Sequence, residues 1–188
     1  VKAFAAKEGM TDSPVATAEY TIEELATIGS IAGLWEFATA AGNSGTPAMV
    51  SFGGWYVTGV RNNQVCVSDG QYGFVIYQSN HGFVAGDKLE GTVTCEVLLY
   101  NNRYAEVTGV TSATEGLTVT SGQEMPVLET TIGALEVRNY GTAISLGTLT
   151  YDGSAFVDAT SAAIVPYNNF NLSPSPLSAL EAGKQYNV

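Results

Sequence analysis

The sequence predicts an all-β protein whose centre is two successive small barrels, and three observations lead to that prediction. Val, Thr, Tyr, Gly and Asn are frequent, while Lys and Arg together number only 7 among 188 residues. This composition suits pleated strands joined by tight turns. Five stretches between residues 49 and 110 alternate apolar with polar side chains, the period of a half-buried strand. A similar pattern returns 90 residues further along the chain.

Residues 1–20 are predicted to form a β-hairpin. Residues 1–5 alternate apolar with small side chains, Gly9 lies at the tip of the turn, and Pro14 opens the second strand, where proline is tolerated. Two strands alone are not stable in water. We therefore expect the rest of this unit to precede Val1 in a longer protein.

Residues 21–47 are predicted to form a short helical linker. Thr21 and Glu24 fit a capping box, and Ser30 can cap a second short helix. The apolar side chains of this second helix recur at helical spacing, and they are Ile31, Leu34, Trp35 and Ala38. Trp35 is interpreted as a packing anchor rather than as a ligand contact.

Residues 48–122 are predicted to form the first barrel domain. Its five strands have approximate bounds of 49–60, 63–68, 73–78, 88–98 and 103–110. Short turns join strands one to three and strands four to five, whereas the crossing from Ser79 to Asp87 between strands three and four is longer. Five strands with one longer connection between the third and the fourth are typical of an OB-type barrel.

An internal repeat predicts a second OB-type barrel over residues 123–188, truncated after its fourth strand. Without a gap, NNQVCVSDGQYGFVIYQS at 62–79 aligns with DGSAFVDATSAAIVPYNN at 152–169. Downstream, AGDK at 85–88 corresponds to AGK at 182–184. The identical pairs in the aligned segments are Val67 with Val157, Val75 with Val165 and Tyr77 with Tyr167. Shared alternation and turn chemistry indicate duplication, and we expect the natural protein to continue past this fourth strand.

Two segments resemble known families. The first 22 residues, VKAFAAKEGMTDSPVATAEYTI, resemble the closing hairpin of the immunoglobulin-like domains named after the C-terminal domain of chitobiase and β-hexosaminidase, which implies a spacer. The other resemblance rests on the strand Gln64–Asp69, on AGDKLEGTV at 85–93 and on the closing strand at Tyr100–Thr108. These features are similar to the OB-fold domains of surface lipoproteins and exported nucleases of Bacteroidetes-type bacteria.

That second resemblance implies an extracellular or outer-surface location, with a signal or lipid anchor expected upstream of this segment. Domains of this kind are often assigned nucleic-acid binding by analogy of fold, but fold alone does not settle function. The charge of the chain also disfavours nucleic acid, because 7 basic and 18 acidic residues give a net charge of −11. Residues 46–112, with 3 basic and 5 acidic side chains, are nearly neutral. Nucleic-acid binding by the first barrel therefore stays an alternative.

We predict that the chain is not an enzyme, and no catalytic residue, metal site or cofactor is predicted. The sequence contains no HExxH, CxxC, P-loop, GxGxxG, GxSxG or calcium-loop pattern. His81, the single histidine, is interpreted as a solvent-exposed loop residue. Cys66 and Cys95 lie in predicted strands of the same barrel, where either a disulfide or two buried thiols would suit them. No apolar run approaches the roughly 18 residues of a membrane span, so no membrane insertion is expected.

Candidate binding residues occupy the positions where OB barrels usually bind ligands. That face belongs to strands two and three and is flanked by the loops between strands one and two and between strands four and five. The set combines two arginines with turn amides and with tyrosines that offer stacking surfaces. Its members are Arg61, Asn62, Asn63, Tyr72, Tyr77, Tyr100, Asn101, Asn102, Arg103 and Tyr104. Ordinary roles in hairpin turns and edge strands are the alternative for these residues.

The sequence as a whole favours a non-catalytic extracellular binding or spacer module of a multidomain bacterial surface protein. Its ligand is unidentified, with a glycan or a protein as the partners we expect. Two alternatives remain. One is a nucleic-acid-binding OB module that accompanies a nuclease, and the other is a glycan-binding module of a surface polysaccharide system.

Overall fold

In the computed structural model the described residues are 2–19 and 24–188, and they form fifteen strands and one α-helix. In chain order the elements are β1 (Lys2–Ala3), β2 (Ala16–Thr17), β3 (Thr27–Ile28), α1 (Ile31–Ala41), β4 (Thr46–Arg61), β5 (Gln64–Ser68), β6 (Gly73–Tyr77), β7 (Lys88–Tyr100), β8 (Tyr104–Thr108), β9 (Leu117–Thr120), β10 (Leu128–Glu129), β11 (Ile144–Ser145), β12 (Thr148–Tyr151), β13 (Phe156–Val157), β14 (Ala163–Ile164) and β15 (Gln185–Asn187). Short 3-10 helices lie at Gly42–Ser44, Ile132–Ala134, Val137–Asn139 and Pro176–Ala179.

Strands β4 to β8 close into a five-stranded barrel with the order β4-β5-β6-β8-β7, and β7 pairs again with β4. The β6–β8 pair is parallel, and the other four pairs are antiparallel. The fifth barrel strand therefore lies between the third and the fourth. The predicted OB-type barrel is confirmed, with strand ends within a few residues of those expected.

The long strand β4 closes the barrel because it pairs with two neighbours. Its first part pairs with β7 and its last part with β5, and the register shifts between Gly53 and Trp55. Gly54 at this bend has a φ of 88°, a conformation that residues with a Cβ rarely adopt. The bend turns one strand from one wall of the barrel to the next.

Helix α1 packs against the barrel and contributes to its core. Ser30 caps the helix, since its Oγ accepts a hydrogen bond from the Gly33 N–H at 3.1 Å. Trp35 Nε1 donates a buried hydrogen bond to the Gly73 carbonyl at 2.8 Å. The four apolar side chains predicted from helical spacing are all buried, and they are Ile31, Leu34, Trp35 and Ala38. The predicted cap and packing anchor are confirmed, while the capping box expected at Thr21 lies outside the described residues.

The N-terminal hairpin is present in a short form. Strands β1 and β2 are antiparallel, with Lys2 opposite Thr17 and Ala3 opposite Ala16. All side chains from residue 2 to residue 19 are exposed. Val1 and Tyr20, which the prediction included, lie outside the described residues.

The repeat forms an open four-stranded antiparallel sheet, called here the downstream sheet, with the order β14-β13-β12-β15. This is the order of strands three, two, one and four of the first barrel. The ungapped alignment needs a correction in the third strand. Cys66 pairs with Val75 in the barrel, whereas the aligned Phe156 pairs with Ile164 rather than with Val165. The register differs by one residue, and Val165 lies beyond β14, exposed to solvent.

His81 is buried, which contradicts its interpretation as a solvent-exposed loop residue. The side chain is only 8% exposed. Its Nδ1 accepts a hydrogen bond from the Phe83 N–H at 3.0 Å, and its Nε2 lies 3.1 Å from the Asn62 carbonyl. A neutral ring with the proton on Nε2 satisfies both contacts. The prediction failed because this loop folds back on the barrel, where the imidazole partners two backbone groups.

Both cysteines are free thiols in the structure. Of the two possibilities that the sequence left open, the structure has the thiols and not the disulfide. Burial raises the pKa of Cys66 to about 11 and that of Cys95 to about 12. Both groups are therefore protonated at neutral pH and weakly nucleophilic. Among the described residues, no helix combines the length and the apolar character needed to cross a membrane.

Candidate functional site

The sequence predicts binding on the outward face of β5 and β6, and in the structure β8 continues this face beside β6. The inward positions of β5 and β6 are taken by buried side chains, among them Val65 and Phe74. Alternation along each strand then places Gln64 opposite Tyr77 on the outward face. Across the parallel pair, Glu106 of β8 lies beside Val75 of β6 on the same face.

A segment of residues 137–142, called here the strap, covers part of this face. The Thr58 hydroxyl donates a hydrogen bond to the Gly141 carbonyl, and Asn139 Nδ2 donates one to the Gln71 carbonyl at 2.8 Å. A Cβ built on Gly73 would lie 2.4 Å from the Tyr140 carbonyl oxygen. The strap therefore runs so close to β6 that only glycine fits there. Val75 points outward yet has no exposed surface, because the strap lies over this part of the face.

The part of the face that the strap leaves open is a cleft of about 200 Å³. We call it the tyrosine cleft. It draws one or more side chains from each of four barrel strands, and its lining consists of Gln64, Tyr77, Tyr100, Tyr104 and Glu106. The cleft is smaller than the roughly 300–1,000 Å³ of pockets for drug-sized ligands, so it suits a small chemical group.

Two of the cleft residues, Tyr100 and Tyr104, form one side of the tyrosine cleft, and their stack continues to Tyr140 outside the lining. The ring centroids of Tyr100 and Tyr104 are 5.3 Å apart, and those of Tyr104 and the strap residue Tyr140 are 4.6 Å apart with planes at 11°. Gln64 Nε2 donates a hydrogen bond to the Tyr104 hydroxyl at 3.1 Å. The pKa of Tyr104 is raised to about 12, mainly by burial and secondly by the nearby Glu106 carboxylate. Its phenol therefore stays protonated at neutral pH.

Glu106 is the most unusual group in the tyrosine cleft. Its side chain is only 4% exposed, and burial raises its pKa to about 7. Within residues 2–19 and 24–188, the ion pairs are Lys88 with Glu90 and Arg138 with Glu136, and no hydrogen bond is made by the Glu106 carboxyl. The residue as a whole is buried, yet its carboxyl oxygens are not among the fully buried atoms that lack a partner, so they reach the water in the cleft. Glu106 also lines an open cleft, so a ligand can reach it.

Three of the predicted binding residues come together in the tyrosine cleft, and they are Tyr77, Tyr100 and Tyr104. Arg61 instead reaches toward the downstream part of the chain. Its Nη1 donates a hydrogen bond to Asn169 Oδ1 at 2.8 Å, and its Nε is buried without a hydrogen-bond partner in the described part of the chain. Burial raises the pKa of Tyr140, while the charges of Arg61 and Arg103 act to lower it. Both arginines therefore lie near the Tyr140 hydroxyl.

The predicted asparagines occupy hairpin turns. Asn62, Asn101 and Asn102 have φ values of 51°, 48° and 56°, which asparagine tolerates better than most residues. The Asn63 carbonyl accepts a hydrogen bond from the Gln78 N–H at 2.9 Å. These contacts suit the ordinary turn role that the sequence left as the alternative.

Tyr72 and Asn102 lie beside the strap rather than in the tyrosine cleft. The guanidinium of Arg138 lies over the Tyr72 ring, 4.6 Å from its centroid. Asn102 lines an open groove of about 530 Å³ between α1 and the strap, together with Trp35. Tyr72 thus serves to hold the strap through a cation–π contact.

Sequence reasoning missed three residues that shape the site, and they are Gln64, Glu106 and Tyr140. Alternation along β8 places Tyr104 and Glu106 on the same face, so a signal for Glu106 was present in the sequence. Tyr140 directly follows the 3-10 helix at Val137–Asn139 and lies 36 positions after Tyr104 in the chain, and no local sequence pattern predicts their contact. Among the described residues, no group of three or more His, Cys, Asp or Glu side chains could hold a metal ion.

Comparison of the chain with protein-family models, with curated proteins and with solved structures gives no match. The resemblances to OB-fold domains of surface lipoproteins and to chitobiase-type spacer domains therefore stay predictions. The fold and the tyrosine cleft rest on the geometry of this chain itself.

Proposed function

We propose that the chain is a non-catalytic binding module of a multidomain bacterial surface protein, acting outside the cell, with the tyrosine cleft as its binding site. One observation carries the proposal: the carboxyl of a largely buried glutamate, with no protein partner within the described residues, opens into a cleft lined by three tyrosines. Concave sites that combine aromatic walls with a few polar groups are typical of ligand binding. The surrounding barrel strands hold these side chains on a rigid scaffold.

The exposure of the cleft side chains supports this proposal. Tyr77 is 45% exposed and Tyr100 is 40% exposed, so each offers ring surface to a ligand. Tyr104 is held between Tyr100 and Tyr140 and by the Gln64 amide. A ligand would therefore meet one fixed ring and two accessible ones.

The state of the single histidine supports a non-catalytic role. Both ring nitrogens of His81 contact backbone groups, the Phe83 N–H and the Asn62 carbonyl. Both nitrogens are thus occupied by contacts within the protein, and His81 does not line the tyrosine cleft. Within the tyrosine cleft, Glu106 is then the one group whose charge changes near neutral pH, whereas general acid–base catalysis commonly uses a pair of groups.

Saturation-transfer NMR on the intact chain tests the proposal, with glycans, single-stranded oligonucleotides, peptides and small amines as separate ligand sets. We expect ligands from one of these sets to bind, and we expect Tyr77→Ala to lower their affinity at least tenfold. The matched control is Tyr167→Ala, because Tyr167 is exposed and does not line the tyrosine cleft. Absence of any hit, or hits that Tyr77→Ala leaves unchanged, would overturn the assignment of the cleft.

A glycan-binding role is the second candidate function. It is favoured by the Gln64 amide and the Glu106 carboxyl beside aromatic rings, since sugars present both hydroxyls and apolar faces. A glycan array with the intact chain tests it. Hits that are lost in Tyr100→Ala would support this candidate, and an array without hits would remove it.

A further inference from the structure

Given the binding function proposed above, we propose that the tyrosine cleft binds an alkylammonium group, with the Glu106 carboxylate as its counter-charge. The ligand class comprises a primary amine such as a lysine side chain and a quaternary amine such as choline. The proposal goes beyond a binding role, because it names the chemistry that the cleft would select.

The position of Glu106 is the first support. The residue is only 4% exposed, its carboxyl opens into the tyrosine cleft, and it has neither a hydrogen bond nor an ion pair within the described residues. A carboxylate with little exposed surface and no protein partner is stabilised by a cation that comes into contact with it. A cation that enters the cleft would supply the missing partner, whereas an anion would add repulsion.

The tyrosine rings are the second support. The negative face of an aromatic ring attracts cations, and aromatic cages recognise quaternary ammonium groups and methylated lysines. Tyr77 from β6 and Tyr100 from β7 keep exposed ring surface in the cleft, whereas Tyr104 from β8 is stacked on both Tyr100 and Tyr140 and serves to hold the wall. A volume of about 200 Å³ admits an ammonium head group while excluding a bulky ligand.

Glu106 carries the one charge among the residues that line the cleft, while two cations, Arg61 and Arg103, lie outside the lining near the Tyr140 hydroxyl and oppose a cationic ligand from there. The groups that line the cleft with Glu106 are Gln64 from β5 and the three tyrosines. Arg61 and Arg103 act on the Tyr140 hydroxyl, and burial alone accounts for the raised pKa of Glu106. The net charge of −11 also attracts cations at long range.

Binding should be linked to the ionisation of Glu106. An ammonium ion favours the carboxylate, so binding below the pKa of about 7 must release a proton. Affinity then rises as the pH rises through 7 and levels off above it. If only the carboxylate binds, the ionised fraction increases from about one tenth at pH 6 to about nine tenths at pH 8, and the affinity increases by about tenfold.

Isothermal titration calorimetry on the intact chain tests the proposal at pH 6 and pH 8. The probes are choline and Nα-acetyl-lysine methylamide, which separate quaternary from primary amines. Their uncharged counterparts are 3,3-dimethylbutanol and Nα-acetyl-norleucine methylamide. We expect at least one amine to bind about tenfold more tightly at pH 8 than at pH 6, and its uncharged counterpart to bind at least tenfold more weakly at pH 8.

Two variants complete the test. Glu106→Gln should weaken amine binding at least tenfold and remove its pH dependence, whereas Glu96→Gln should leave both unchanged, because Glu96 is exposed and outside the cleft. Equal binding of an amine and its counterpart, or unchanged binding in Glu106→Gln, would overturn the proposal. If a variant fails to fold, two comparisons on the wild-type chain still test the proposal. One compares each amine with its uncharged counterpart, and the other compares amine affinity at pH 6 and pH 8.

The outcome also separates this inference from the broader function. If neither amine binds while another ligand set gives cleft-dependent NMR signals, the ammonium chemistry is wrong and the binding module stands. If no ligand of any class reaches the tyrosine cleft, both proposals fail.

Discussion

Tyr140 stacks on Tyr104 with ring centroids 4.6 Å apart and planes at 11°, and this contact joins the strap to the predicted binding face. The Tyr104 ring belongs to the barrel, while Tyr140 follows a 3-10 turn well downstream. The stack therefore does two things at once. It fixes one wall of the tyrosine cleft and it holds the strap on the barrel.

The first prediction concerns this stack. In a double-mutant cycle with Tyr104→Leu and Tyr140→Leu, we expect a coupling of about 0.5–1.5 kcal/mol in the free energy of unfolding, the range for aromatic pairs. Urea unfolding of the four proteins measures it. Tyr167→Leu is the control, and its coupling with Tyr104→Leu should be near zero because Tyr167 is exposed and makes no ring contact among the described residues. A Tyr104–Tyr140 coupling as small as that of the control would refute the contact.

The second prediction concerns stability against pH. The pKa of Glu106 is about 7 in the folded protein, above its ordinary value of 4.5. The folded state therefore holds its proton more tightly, so stability falls as pH rises from about 4.5 and levels off above about 7. The loss from this one group is up to about 3 kcal/mol in the free energy of unfolding.

Urea unfolding at pH 4.5 and pH 8 measures this loss. Glu106→Gln should remove it, so that the variant becomes more stable than the wild type at pH 8 and the difference shrinks at pH 4.5. Glu96→Gln should keep the wild-type pH dependence. A Glu106→Gln variant with the full pH dependence would show that Glu106 is not the buried acid responsible.

The third prediction concerns Gly73. Alanine there would place a Cβ 2.4 Å from the Tyr140 carbonyl oxygen and 2.9 Å from the Gly141 carbonyl carbon, and backbone atoms cannot move aside as a flexible side chain can. We expect Gly73→Ala to release the strap and lower the free energy of unfolding by about 1–3 kcal/mol. Hydrogen exchange of residues 137–142 reports the release. Gly29→Ala is the control, because a Cβ at Gly29 would have no atom within 4 Å. It should leave hydrogen exchange in the strap unchanged.

The fourth prediction concerns nucleic acid. We expect little binding of single-stranded DNA at low salt, because the chain has a net charge of −11 and Arg61 is engaged with Asn169. Fluorescence anisotropy at low and moderate salt measures this. Tight binding that weakens steeply with salt and disappears in Arg61→Ala with Arg103→Ala would establish the nucleic-acid alternative instead.

The barrel could be predicted because each of its elements is marked by a pattern of neighbouring residues in the sequence. Alternation in β5 and β6 identifies Val65 and Phe74 as core residues, and helical spacing does the same for Leu34 and Trp35. Each pattern follows from the geometry of a single element. Strand ends and the cap at Ser30 were also readable from neighbouring residues.

The remaining features depend on contacts between distant parts of the chain. His81 was assigned to solvent because it lies in a loop, but its burial comes from backbone partners that no motif marks. The burial of Glu106 reflects packing from several strands. The one-residue shift at Ile164 arises where β13 and β14 each have only two residues, too short for alternation to fix the register.

The strap has a consequence for how the protein unfolds. The Thr58 hydroxyl and the Asn139 amide each donate a hydrogen bond between the first barrel and the strap. Unfolding of either part would break both hydrogen bonds. We therefore expect the barrel and the downstream part of the chain to unfold in one cooperative transition rather than in two separate ones.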